Sequence, residues 1–236
     1  MITASCTHKG YRRENNEDSF FVRRFSDNAC LLAVADGMGG EVGGDLASRI
    51  TVGYLEDCPE PKKNDVRAAL DDWVLNIHSE VLQVVEERPE LQGMGSTLVL
   101  AYIKKPFLYW AHVGDSRLYL FRDGNLIRTT EDHTVPGRLL ASGDITEEMA
   151  RVHPMRNLLL RCVGCKRCEP DSGSFAIKAS DIVLLCSDGL YGEVAPEAIA
   201  AVLGKEKPLA GKCRDLIDAA LDAGGPDNIT AVAVQV

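Results

Sequence analysis

At two places the 236-residue chain carries a carboxylate to the end of an apolar run and then breaks on glycine. Leu31-Leu32-Ala33-Val34-Ala35 precedes Asp36-Gly37-Met38-Gly39-Gly40, and Ile182-Val183-Leu184-Leu185-Cys186 precedes Ser187-Asp188-Gly189. A short unbroken apolar run bounded by turn residues reads as a strand buried on both faces, and glycine permits turns that other residues avoid. Two more acids stand at strand edges: Asp115 follows Leu108 to Gly114, and Asp227 precedes Ile229 to Val234. Four acids from distant parts of the chain can therefore meet on one rim of a β-structure. Carboxylates so crowded repel one another unless protonated or bridged by cations, and hard oxygen ligands suit Mg2+ or Mn2+.

A chain of this length can form one substantial domain, and no shift in composition marks a second, so residues 1–236 are expected to form a single unit. With 45% hydrophobic and 26% charged residues it has the means to build a core. The formal charge of −9, with no run of Lys and Arg, argues against a nucleic-acid groove. No apolar segment approaches the length of a membrane span and the amino terminus lacks a signal-peptide core, so a cytoplasmic location is expected. That setting predicts reduced thiols for the eight cysteines, with Cys30 and Cys186 acting as small hydrophobes inside strands. Cys162-Val163-Gly164-Cys165-Lys166-Arg167-Cys168 contains two CxxC steps that could begin a zinc or iron–sulfur site. No fourth cysteine follows within reach, so surface or partly buried thiols are the preferred reading.

In chain order, strand patterns cover Ile2 to Thr7, Ser19 to Arg24 and Cys30 to Ala35, and a helical pattern follows Gly43-Gly44. A longer helix runs from a cap at Asn64 to about Arg88, with Val66, Leu70, Trp73, Ile77 and Val81 on one face and Pro89 ending it. Gly95 to Ile103, Phe107 to Val113, Ser116 to Phe121 and Leu126 to Arg128 read as an antiparallel meander, the last two joined by a tight turn at Asp123-Gly124. Residues 131–161 turn polar and read as a flap of small helices and loops. Strands resume at Ser174 to Lys178 and Asp181 to Cys186, helices at Pro196 to Leu203 and Pro208 to Ala223, and Ile229 to Val236 is the last strand. The fold class is α+β, two sheets with helices outside.

A lone Asp-Gly is more often a turn than a site. Here Gly10-Tyr11-Arg12-Arg13-Glu14-Asn15-Asn16-Glu17-Asp18, Ala35-Asp36-Gly37-Met38-Gly39-Gly40, Gly95-Ser96-Thr97, Val113-Gly114-Asp115-Ser116-Arg117, Glu131-Asp132-His133, Ser187-Asp188-Gly189 and Pro226-Asp227-Asn228 occur in order in one chain. The set resembles the metal-dependent type 2C protein serine/threonine phosphatases, in their compact bacterial branch, from about Thr3 to Val236. The resemblance implies a central antiparallel β-sandwich flanked by helix pairs. It also implies hydrolysis of phosphoserine and phosphothreonine in proteins by a hydroxide held between two Mn2+ or Mg2+ ions, opposite a cognate serine/threonine kinase. A monomer with no nucleic-acid or membrane partner is expected. By the same resemblance Asp36 bridges the two ions and the Gly37 carbonyl adds a ligand; Asp188 and Asp227 complete one ion and Glu17 serves the other. Asp115 with Asp188 would hold a weaker third ion, Asp18 would hold waters behind the ligands, Asn228 would line the site, and Arg13, rather than Arg12, would take the phosphate oxygens. The flap segment Thr134 to Arg156 is the expected substrate-selecting element.

Arginine suits that task because its planar fork offers paired donors that lysine lacks. Met38 stands where many eukaryotic members carry a histidine proposed as general acid, which leaves the acid open between water and His133; His8, His78, His112 and His153 read as structural or exposed. Two rival readings remain. Cys6-Thr7-His8-Lys9-Gly10-Tyr11-Arg12 fits the CxxxxxR spacing of cysteine-dependent phosphatases, although Cys6 falls in a strand pattern. The fold could also persist as a pseudophosphatase that binds phosphorylated partners, but its usual mark, a missing metal ligand, is not seen.

Overall fold

The apolar runs become the middle of two stacked antiparallel sheets. The structure is a computed structural model that describes residues 1–62 and 64–236, with the side chains of residues 40–42 outside that description. One sheet has the order β1 (Ile2–His8), β11 (Ile229–Gln235), β10 (Ile182–Cys186), β7 (Arg117–Arg122), β8 (Asn125–Arg128). The other runs β2 (Asp18–Ser26), β3 (Ala29–Met38), β5 (Leu98–Lys104), β6 (Phe107–Val113), β9 (Asp171–Ala176), and the two-residue β4 (Gly95–Ser96) pairs with the end of β3.

Because side chains alternate along a strand, a strand covered on both faces must be apolar throughout. In β3, Leu32 and Val34 face the opposite sheet and meet Val183, Leu185, Val232 and Val234. Leu31 and Ala33 face outward, under the helices α1 (Gly40–Tyr54) and α2 (Val66–Glu87), where Leu70, Trp73, Ile77 and Val81 complete the layer. The other sheet is covered by α6 (Pro196–Leu203) and α7 (Leu209–Asp222), which bury Ile199, Leu216 and Ile217 on Leu184, Ala231 and Ala233. The result is the helix–sheet–sheet–helix sandwich that the resemblance implies. No helix among the described residues is long and apolar enough to cross a membrane.

The meander expected from Gly95 to Arg128 is divided between the sheets. β5 and β6 pair in one, β7 and β8 in the other, and the chain crosses over at Gly114-Asp115-Ser116. Strand spacing alone cannot distinguish a hairpin from such a crossing. Gly43 and Gly44 lie inside α1 and not before it. The cap of α2 falls at Asp65 in place of Asn64, and β9 begins three residues before the expected Ser174. An unforeseen short helix, α5 (Asp188–Tyr191), starts on Asp188 itself.

The flap carries α3 (Val135–Ala141) and α4 (Glu147–Arg151), each started by a threonine side chain that accepts a backbone N–H, Thr134 from Gly137 and Thr146 from Met149. Its two ends meet in a bridge between Thr134 and Leu159.

Cys162 and Cys165 are joined as a disulfide, Cα atoms 5.2 Å apart, which corrects the expectation of reduced thiols for this pair. The intervening turn, with Gly164 at φ +77°, brings their backbones within bridging distance. The same turn pairs Val163 with Ser96 of β4. Cys6 lies in β1 against the α7 layer, where burial raises its thiol pKa, and its strand runs into a loop and not a helix. The phosphate-loop geometry that a cysteine-dependent phosphatase needs is therefore not formed around Cys6.

Candidate active site

The acids singled out in the sequence are delivered to one end of the sandwich by five separate segments. Glu17 precedes β2, Asp36 and Gly37 end β3, Asp115 sits on the crossing between sheets, Asp188 opens α5, and Asp227 and Asn228 lead into β11. With Arg13 from the loop after β1, all of them line a cleft of about 420 Å3. Asp18 lies behind the cleft wall, paired across the β2–β3 ladder with Asp36.

The local fit depends on a few close backbone approaches. A Cβ at Gly37 would lie 2.1 Å from the Gly44 carbonyl oxygen, and one at Gly44 would lie 2.7 Å from the Glu17 carboxyl carbon. These two glycines let α1 pass directly over the end of β3. Gly37 N–H donates to the Glu17 carbonyl at 3.1 Å, so the Glu17 and Asp36 segments are tied at the backbone. Asn228 organises the other side: its Oδ1 accepts from Glu17 N–H at 2.8 Å and its Nδ2 donates to the carbonyls of Lys9 and Asn15, both at 2.9 Å. Asn228 thus works as a brace between the Asp227 and Glu17 loops, beyond the lining role expected for it.

Crowding sets the electrostatics. Burial, and then the charges of Asp18, Asp188, Asp115 and Asp227, push Asp36 well above the usual carboxylate range. Burial raises Asp188 to about 6, with Asp227 adding to the rise and its contact with Asp36 opposing it. Burial raises Asp18 to about 7 against hydrogen bonds from Thr230 and Ser187; Ser187 Oγ donates to its Oδ2 at 2.7 Å, while its Oδ1 is buried without a partner. Asp115 is raised by burial and by Asp188 and Asp132, and Glu17 by burial, with Arg13 lowering it. Arg13 grips Asp227 with two nitrogens, Nε at 2.8 Å and Nη2 at 2.9 Å. Arg13 thus offsets part of this negative charge. Among the described residues, no group of three acid, histidine or cysteine side chains is closed up around a metal position as it stands. The donor set is nonetheless all oxygen and carries more carboxylates than it can keep ionised, which fits hard divalent cations.

Sequence reasoning passed over the hydroxyls behind these acids. Thr97 Oγ1 accepts from Asp36 N–H at 3.0 Å and contacts Ser116 Oγ at 2.7 Å, and Ser96 Oγ donates to the Asp36 carbonyl at 3.1 Å. The Gly95-Ser96-Thr97 and Asp115-Ser116 motifs contained that signal. Asn157, a flap residue on the cleft wall, had none. His133 does not reach the cleft: it is buried, Nδ1 faces Gly114 N–H at 3.2 Å and Nε2 lies 3.0 Å from Asp171. Both ring nitrogens are committed elsewhere, which removes it as a proton donor to a leaving group.

The fold and this cleft together match one family. The model of the protein phosphatase 2C family covers residues 5–222, and the chain belongs to that family. Among its relatives, the serine/threonine protein phosphatase PstP of Mycobacterium tuberculosis is 40% identical over 235 residues, 99% of this chain and 44% of PstP. The chain therefore spans less than half the length of that relative. The serine/threonine phosphatase stp of Listeria welshimeri is 36% identical, with 97% of this chain and 93% of the relative covered. A crystal structure of the M. tuberculosis PstP/Ppp phosphatase superposes with a TM-score of 0.91 at 39% identity over 100% of this chain and 98% of that one. The PstP catalytic domain in complex with two manganese ions gives 0.87 at 36% identity, covering 99% and 97%.

Proposed function

We propose that the chain, as one catalytic unit with residues 131–161 as its flap, hydrolyses phosphoserine and phosphothreonine in proteins with the help of Mn2+ or Mg2+. The observation that carries this reading is the meeting of Glu17, Asp36, Asp115, Asp188 and Asp227 in one cleft with Arg13 at its mouth. Family membership and the manganese-bound PstP catalytic domain support it. On this reading Asp36, with the Gly37 carbonyl, Asp188, Asp227 and Glu17, would hold two cations, and Asp115 with Asp188 would hold a weaker third. Cations held there acidify water for attack on phosphorus and offset phosphoryl charge.

The chain's own residues do the rest. Arg13 can leave Asp227 and turn its fork to the phosphoryl oxygens, since both partners are partly exposed and the pair is held by surface contacts alone. Asp18, fixed by Ser187, presents its free oxygen from behind the ligands and orients water there. No protein nucleophile is required. The proton for the leaving alkoxide is drawn from water in the cleft, His133 being turned away. The flap segment Thr134 to Arg156 borders the cleft's continuation, a second hollow of about 510 Å3 that shares Asp115, Asn157, Asp188 and Asp227 with the first, and there it would select among phosphoproteins. A phosphatase of this kind reverses a serine/threonine kinase, in the cytoplasm and as a monomer on this reading.

The test is phosphate release from a phosphothreonine peptide. Activity is expected with Mn2+, to vanish with chelator and to return when metal is restored, and Cys6→Ser should leave it unchanged. A chain that binds the peptide but releases no phosphate under any metal would be a pseudophosphatase, and activity surviving chelation but lost in Cys6→Ser would reinstate the thiol mechanism.

A further inference from the structure

His133 stands where the flap leaves the core, and it holds the polar groups of Gly114 twice over. Its backbone N–H donates to the Gly114 carbonyl at 2.8 Å, and its Nδ1 accepts from Gly114 N–H at 3.2 Å. Gly114 is where the chain leaves one sheet for the other, so neither ladder can satisfy those groups. It is also pinned sterically: φ is +109°, and a Cβ would lie 2.6 Å from the Thr97 Cβ. The next residue is Asp115.

The far side of the ring is equally fixed. Nε2 lies 3.0 Å from Asp171 Oδ2, and the other oxygen of Asp171 accepts from Arg161 Nη1 at 3.1 Å. Arg161 Nη1 also approaches Nε2 at 3.4 Å. With Nδ1 occupied as an acceptor, the neutral ring carries its proton on Nε2 and gives it to Asp171, the shorter contact. The His133 carbonyl accepts from Leu160 N–H at 2.7 Å, so the two ends of the flap close on the same residue.

We propose that His133 is a positioning residue: in its Nε2–H tautomer it fixes the Gly114–Asp115 turn, and through that turn the placement of the Asp115 carboxylate in the cleft. The consequence for metal rests on the reading of Asp115 as a ligand of the third cation. The Asp171–Arg161 pair sets the tautomer, and the flap is tied to the same point. A side chain that only filled space would place no acceptor against Gly114 N–H.

Two substitutions separate the nitrogens. In His133→Asn the amide oxygen can replace Nδ1 but nothing reaches Asp171; in His133→Gln the amide nitrogen can replace Nε2 but Gly114 N–H loses its acceptor. The full chain is used, with melting curves to confirm folding. In metal-free protein, hydrogen exchange at Gly114 N–H is expected to stay slow in His133→Asn and to speed up at least about tenfold in His133→Gln. Calorimetric Mn2+ titration should show the weakest site weakened by about tenfold or more in His133→Gln alone. Nitrogen-15 spectra of the unmodified protein should show Nδ1 unprotonated and Nε2 protonated, a result that needs no variant to fold. A ring proton on Nδ1, or equal exchange in the two variants, overturns the proposal. If the unmodified protein binds no third Mn2+ while the exchange split persists, the positioning role stands and the ligand role of Asp115 falls.

Discussion

Asp36→Asn is expected to abolish phosphate release, a loss of about 1000-fold or more, and at the same time to stabilise the metal-free protein. The two effects have one cause. Asp36 is surrounded by Asp18, Asp188, Asp115 and Asp227 and is poorly solvated, so its folded-state pKa lies well above the value of 3.8 it has when unfolded. A group raised in this way contributes stability that is complete below its unfolded pKa and is lost as pH rises through the folded one. Asp188, raised to about 6, and Asp18, raised to about 7, act in the same direction. The metal-free protein should therefore lose stability as pH climbs from about 4 past 7. Asparagine mimics the protonated acid and cannot ionise, so the variant's melting temperature should exceed that of the unmodified chain by a margin that grows as pH rises from about 4 and levels off once Asp36 is ionised in the folded protein. With Mn2+ present the order should invert, since cations stabilise whatever binds them in the folded state and the variant has lost a carboxylate that the proposed site would use to hold them. Melting curves with and without Mn2+ at three pH values decide the matter. A variant less stable than the unmodified protein without metal would mean that Asp36 is not under the repulsion described.

The second large effect is steric. A Cβ at Gly189 would lie 2.0 Å from the Asn228 carbonyl oxygen and 3.0 Å from its carbon, both backbone atoms with little room to yield. Gly189→Ala is expected to cost about 3 kcal/mol or more, and to force α5 with Asp188 away from the Asp227–Asn228 loop. Gly124→Ala is the control. Gly124 has φ +80° in the β7–β8 turn and open space around it, so only backbone strain is incurred, about 1 kcal/mol. Urea unfolding of both variants measures the difference; equal costs would show that the approach of α5 to Asn228 does not constrain the site.

Much of this architecture can be read from the chain because doubly buried strands need unbroken apolar runs. Leu31 to Ala35 and Ile182 to Cys186 could hardly be anything else, and an acid followed by glycine at the end of each marks the rim. The sheet change at Gly114 to Ser116 was hidden, since β5 to β8 have the spacing of a meander and only the two inner faces, once assembled, decide which strands share a sheet. Gly43-Gly44 read as a helix boundary because glycine is a poor helix former, whereas Gly44 lets α1 cross Gly37 and Glu17 and Gly43 lets it approach Met94. The expectation of reduced thiols is an argument from compartment, which says nothing about a turn that puts the Cα atoms of Cys162 and Cys165 5.2 Å apart. The hold of Arg13 on Asp227 spans 214 residues and leaves no local trace. For His133, the sequence supplied chemistry without direction: imidazole is the natural proton donor, but only the fold reveals that both nitrogens point to Gly114 and Asp171.

The central claim is that acids scattered from Glu17 to Asp227 form one cage for a pair of divalent cations. Counting Mn2+ bound per chain after complete demetallation, by calorimetric titration or by metal analysis of dialysed protein, tests it most directly. Two tight equivalents are predicted, falling to one or none in Asp36→Asn. Fewer than two in the unmodified protein, or an unchanged count in the variant, would contradict the account.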